Sequence, residues 1–266
     1  MTSAHPWFAG SATPRVLAHR GLVTPAAAAQ GVAENSFAAV AAAHAAGATY
    51  IESDCHLTAD DVVVLFHDPD LTRVTGDPRA IADVSLRELE RLMADRGGLI
   101  TLRQALDAFP AVRFNLDVKA EGAAGEVGRI VAPQAHRVLL TSFSDARRRE
   151  ALDATARAGS SIRPATSAGT ATIARLLVAL ATRSKSLIGR ALRDIDALQV
   201  PERQGRLRVV TPRLLDAAHR HGVEVHVWTI NDTDDMRRLV SMRVDGIVTD
   251  RADVALRALA GPPGHP

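Results

Sequence analysis

From residue 15 to residue 260, short apolar, β-branched runs alternate with Ala- and Leu-rich stretches of helical character. This alternation is the feature that most restricts the fold, because a helix between successive strands makes them parallel. Strand-like runs fall at residues 15–18, around Glu52, and at 112–119, 137–143, 162–166, 197–200, 223–230 and 245–250. Helices are expected at 37–46, 84–95, 101–109, 125–134, 145–158, 170–182, 211–221, 233–242 and 252–260. About eight strands with helices between them predict an α/β single domain, a (β/α)8 TIM barrel over residues 15–260. A short insertion follows the second strand. Residues 1–14 read as a loose leader and 261–266 as a flexible tail. The runner-up is an open doubly wound sheet; the chain has neither a Gly-rich dinucleotide turn nor a phosphate-binding loop, which weakens that alternative.

Composition enters by exclusion. A formal charge of +2 and 3% aromatic residues argue against a nucleic-acid partner. The single cysteine, Cys55, rules out an internal disulfide framework and a cysteine-based zinc cluster. No apolar run is long enough for a membrane anchor, and no signal peptide is read, so a cytoplasmic location is expected. No feature indicates an oligomeric state. Almost every basic residue is Arg; the only lysines are Lys119 and Lys185, which draws attention to Lys119.

In a barrel, functional residues gather at the C-terminal ends of strands. His19, Glu52, Asp54, Asp117, Lys119, Trp228 and Asn231 all fall at such ends. Glu52 and Asp54 share a face by strand alternation. The run at 62–66 returns as a hairpin and carries His67 towards both carboxylates. Taken alone, residues 49–68 read equally well as an ordinary surface hairpin. Taken with the other strand ends, Glu52, Asp54 and Asp117 can hold one Mg²⁺ or Ca²⁺ through oxygen. Arg20 and Lys119 supply positive charge for a phosphate, and His19 with His67 makes an acid/base pair. Together these fit cleavage of a phosphate ester. Trp228 reads equally as a core aromatic or a substrate wall. Asp250 reads as a cap of the following helix, and Cys55 as a small buried hydrophobe.

These residues resemble the glycerophosphodiester phosphodiesterase family over nearly the whole chain. The motifs are His19-Arg20-Gly21, Glu34-Asn35-Ser36, Glu52-x-Asp54, His67-Asp68 with Leu71-x-Arg73, Asn115-x-Asp117-x-Lys119, Trp228-Thr229-Ile230-Asn231 and Asp245-Gly246-Ile247-x-Thr249-Asp250. The resemblance implies a TIM barrel that hydrolyses glycerophosphodiesters to glycerol 3-phosphate and an alcohol, with a small-molecule phosphodiester as its partner. It implies a divalent cation, Mg²⁺ or Ca²⁺ with Mn²⁺ as a further candidate, held by Glu52, Asp54 and Asp117. It implies His19 and His67 as the acid/base pair, and Arg20, Glu34, Lys119 and Trp228 as the substrate-binding set. The chain departs from the family pattern in having Ala33 before Glu34, Asp117 where Glu is usual, Thr58-Ala59-Asp60-Asp61 as the turn, and Arg73-Val74-Thr75. A related phospholipase D-like activity on lysophospholipids or sphingolipids is the alternative, and a non-enzymatic phosphate-binding barrel is a third reading.

Overall fold

The computed structural model describes residues 5–10 and 13–260. Its strands are β1 (Arg15–His19), β2 (Tyr50–Leu57), β3 (Val63–Leu65), β4 (Arg113–Val118), β5 (Val138–Thr141), β6 (Ala165–Thr166), β7 (Ala197–Pro201), β8 (Arg203–Gln204), β9 (Leu207–Arg208), β10 (Glu224–Trp228) and β11 (Gly246–Thr249). Hydrogen bonding runs β6-β5-β4-β2-β1-β11-β10-β7, every pair parallel. The ring closes between β6 and β7 through a parallel bridge from Ser167 to Ala197, with Asp196 N donating to Thr166 O at 2.9 Å. The expected (β/α)8 barrel is therefore the observed one.

Alternation along each strand sorts the core. Val16, Ala18, Ile51 and Cys55 pack outward with Val40, Ala43 and the other helix faces. Leu17, Tyr50, Leu139, Ala197 and Val248 form a separate cluster inside the ring. Trp7 completes that inner cluster and is fully buried. Its indole N–H donates to Phe114 O at 3.1 Å, and Tyr50 Oη donates to Trp7 O at 3.1 Å. Residues 5–10, expected within a loose leader, are thus packed against the barrel at the end away from the strand C-termini. A large aromatic with a polar N–H fills a barrel mouth and satisfies its donor there. The tail expected to be flexible, 261–266, lies outside the described residues.

After β2 the chain forms the expected hairpin, with β3 antiparallel to β2 and Cys55 opposite Leu65. The insertion that follows has its own small core of Phe66, Leu71, Ile81, Val84, Leu89 and Met93. Three short elements lack an assignment from sequence. Residues 22–32 include a short helix, Pro25–Ala29, capped by Thr24 and started by Pro25. A helix at Lys185–Ala191 and the β8–β9 hairpin occupy segments with no assignment from sequence. No helix among the described residues is long and apolar enough to cross a membrane.

Candidate active site

Strand register sets the site. His19 lies beside Glu52, Glu52 beside Asn115, and Asp54 beside Asp117. The chain leaves β1 through Arg20 and Gly21, both with left-handed backbone, φ 56° and 87°. A Cβ on Gly21 would stand 2.6 Å from the Ala39 carbonyl carbon, so only glycine fits. Arg20 tolerates its strained conformation because its N–H donates to Glu52 O and its C=O accepts from Asn35 N, both at 2.9 Å. The strand ends open on a cavity of 640 Å³ lined by His19, Arg20, Glu52, Asp54, His67, Asp117, Lys119 and Trp228 among others. Of the site residues expected from sequence, Asn231 and Glu34 are absent from this lining. The Glu34 carboxylate accepts instead from Arg20 Nη1 and Arg73 Nη2, each at 2.7 Å, and so braces both cations.

The acids carry a heavy electrostatic load. Burial and the neighbouring Asp54 push the Glu52 carboxyl up to about 8. Burial also raises Asp117, against the pull of Lys119. Asp117 Oδ1 and Asn115 Oδ1 are buried without a hydrogen-bond partner. Lys119 Nζ stands 3.1 Å from Asp54 Oδ1 and 2.7 Å from Asp117 Oδ2. Asn35 donates its Nδ2–H to Asp54 Oδ2 at 3.1 Å, while Ser36 caps the helix Phe37–Ala45. The three acids expected to hold a metal do not surround a common point as they stand: among the described residues no three His, Cys, Asp or Glu side chains do. Lys119 lies between Asp54 and Asp117 and offsets part of their charge. The donor chemistry still suits a hard divalent cation, being all oxygen and including a buried oxygen with no other partner.

The two histidines are mounted alike. His19 Nδ1 is 2.6 Å from Asp250 Oδ1, and its Nε2 is 3.9 Å from Glu52 Oε2. His67 Nδ1 is 2.7 Å from Asp68 Oδ1, and Arg73 Nε donates to Asp68 Oδ2 at 2.6 Å. Burial lowers the His19 pKa, but Asp250 and Glu52 outweigh it and the net direction is up. Asp250, expected to cap the last helix, makes no side-chain cap there. His56 is turned to His67 O, 3.1 Å from its Nε2, and does not line the cavity.

Another part of the cavity wall is apolar. Phe143, Ile173, Leu177, Leu207 and Trp228 line it. Phe143 and Leu207 are each 57% exposed, and Trp228 meets Phe143 edge to face with centroids 6.1 Å apart. Trp228, left between two readings by the sequence, is a cavity wall. Phe143 and Leu207 were missed: one follows β5 and the other sits on a hairpin with no periodic signal. Arg20 Nε is buried and lies 3.1 Å from Asp54 Oδ2 without the alignment to donate to it.

The chain is 38% identical over 223 residues, 83% of each chain, to a probable glycerophosphodiester phosphodiesterase 2 of Mycobacterium tuberculosis. It is 24% identical over 254 residues, 82% of this chain and 79% of the other, to a lysophospholipase D of Rattus norvegicus. In fold it resembles a glycerophosphodiester phosphodiesterase from Agrobacterium tumefaciens, with a TM-score of 0.70, 23% identity and 93% and 99% of the two chains covered. A phosphodiesterase from Oleispira antarctica, solved in complex with the product sn-glycerol-3-phosphate, aligns with a TM-score of 0.69 and 22% identity over 93% and 97%. The model of the glycerophosphoryl diester phosphodiesterase family matches residues 19–254, from the first histidine of the rim to the last helix of the barrel. With the motifs at the mouth of a closed (β/α)8 barrel, this chain belongs to the glycerophosphoryl diester phosphodiesterase family.

Proposed function

We propose that this protein hydrolyses glycerophosphodiesters to glycerol 3-phosphate and an alcohol, in the cytoplasm and with the help of a divalent cation. The observation that carries the reading is the pairing at one cavity mouth of two carboxylate-mounted imidazoles with two cationic side chains. Arg20 and Lys119 take the phosphate; Arg20 Nε is buried and makes no hydrogen bond, although Asp54 Oδ2 lies 3.1 Å away. Each histidine keeps Nδ1 on a carboxylate, which leaves Nε2 for proton transfer. One imidazole removes the proton of the attacking oxygen and the other returns a proton to the departing alcohol. Glu34 steadies Arg20 through the ion pair described above. A cation bound by Glu52, Asp54 and Asp117 would offset their charge and stabilise negative charge developing on the phosphoryl oxygens.

A second reading rests on the apolar wall. A diester with an acyl chain, such as a lysophospholipid cleaved in the phospholipase D sense, would place that chain against Phe143, Leu177 and Leu207. Incubation with glycerophosphocholine and, separately, with lysophosphatidylcholine separates the two. Release of glycerol 3-phosphate from the first is expected; choline release confined to the second moves the assignment to the lipid, and turnover of neither removes it.

A further inference from the structure

We propose that Asp250, oriented by Asn231, is a positioning residue that fixes which ring nitrogen of His19 carries the proton. The inference rests on the reading of His19 as an acid/base group. It begins at backbone amides, whose polarity is not open to choice. Asp250 N–H donates to Asn231 Oδ1 at 2.9 Å, and Arg251 N–H donates to Thr249 Oγ1 at 3.0 Å. The Thr249 hydroxyl in turn donates to Asn231 Oδ1 at 3.0 Å. Two donors on that oxygen settle the orientation of the Asn231 amide, so its Nδ2–H faces Asp250 Oδ2 and donates at 2.7 Å. The Asp250 carboxylate therefore accepts on Oδ2, and Oδ1 meets His19 Nδ1 at 2.6 Å. A carboxylate in that position requires the proton on Nδ1. Nε2 is left without it, on the side of Glu52.

The parts come from three adjacent strand ends: His19 ends β1, Asn231 follows β10 and Asp250 follows β11, with β1 and β10 flanking β11. The order of the barrel thus brings residues 231 and 250 beside residue 19. His67 reaches the same state by other means, since Arg73 Nε donates to Asp68 and so Asp68 too must accept. Both rings then present the same nitrogen for chemistry, one set by a neutral amide and the other by a guanidinium.

The network makes a directional forecast for Asp250→Asn. Asn231 Nδ2–H still demands an acceptor, so the new amide turns its oxygen there and its NH₂ towards His19. Nδ1 must then be the bare nitrogen, and the proton moves to Nε2. The experiment is ¹⁵N NMR of histidine-labelled protein at alkaline pH, where the ring is neutral, together with steady-state kinetics on glycerophosphocholine. Expected are an Nδ1–H form in the parent, an Nε2–H form in Asp250→Asn, and a fall in kcat of about 10²–10⁴-fold with KM within about threefold. Asn231→Ala should lower kcat in the same direction by less. Asp253→Asn, in the first turn of the helix Ala252–Leu259 and paired with Arg257, should match the parent. An unaltered His19 tautomer, or kcat within a few-fold of the parent in Asp250→Asn, overturns the proposal. A parent that turns over no glycerophosphodiester sinks the functional reading instead, and the tautomer measurement still decides the positioning role.

Discussion

Lys119 donates to two buried carboxylates, Asp54 and Asp117, and holds its ammonium 5.0 Å from the centre of the Phe143 ring. A compact charge fits between the acids; a planar guanidinium on a stem of different length does not. Losing one charge-assisted hydrogen bond costs about 1.5–3 kcal/mol, which is roughly 10- to 100-fold in rate. Lys119→Arg should lower kcat/KM by that amount, while Lys185→Arg, at an exposed helix start, should not; equal activities would remove the special role. His19→Ala and His67→Ala should each lower kcat by about 10²–10⁴-fold with thermal melting near that of the parent. At this scale the strand-end residues were legible because alternation and register are simple rules. Asp250 was not, because an acid after a strand looks like a cap, and its partner lies 231 residues earlier in the chain. Glu34 was read as touching substrate; the ion pairs it makes with Arg20 and Arg73 were not legible, because Arg73 lies 39 residues further along the chain.

Among the elements, the segment 5–10 and the lower layer of the barrel carry the clearest consequences for stability. Trp7 is fully buried against Tyr50 and His226. Trp7→Ala should cost roughly 3–5 kcal/mol, seen as a lower urea midpoint with the active-site chemistry intact; an unchanged midpoint would show that the segment is dispensable. Nearby, burial pushes Glu224 up, but hydrogen bonds from Arg15 and His226 hold its carboxyl at about 2. A depressed carboxylate stabilises the fold above its unfolded pKa and loses that contribution as pH falls towards the folded value. The stability gap between parent and Glu224→Gln should therefore be roughly 3 kcal/mol near pH 6 and should close between about pH 4.5 and pH 2. A gap that stays constant over that range would refute the pairing. Sequence periodicity found the strands and longer helices, yet it passed over Pro25–Ala29 and the β8–β9 hairpin, which are too short to show a period. It read residues 5–10 as loose because burial of Trp7 depends on a barrel mouth assembled from distant strands.

The whole molecule divides its cavity. Acids, cations and histidines come from β1, β2, β4 and the insertion, whereas the apolar wall comes from segments after β5, β6, β7 and β10. Such a division matches a substrate with a charged phosphoryl centre and a less polar arm. The barrel and the family were legible because the motifs stand at strand ends; of the apolar wall only Trp228 was, since Phe143, Ile173, Leu177 and Leu207 lie on a loop, one helix and a short hairpin. The central claim, a phosphodiesterase whose carboxylates work with a divalent cation, is tested most directly by one assay. Glycerol 3-phosphate formed from glycerophosphocholine is measured with chelator-stripped protein, before and after Mg²⁺, Ca²⁺ or Mn²⁺ is returned. The account predicts no product from the stripped protein and recovery on adding the ion, with Asp54→Asn needing a higher ion concentration than the parent. Full activity in stripped protein, or no glycerol 3-phosphate under any ion, would contradict it.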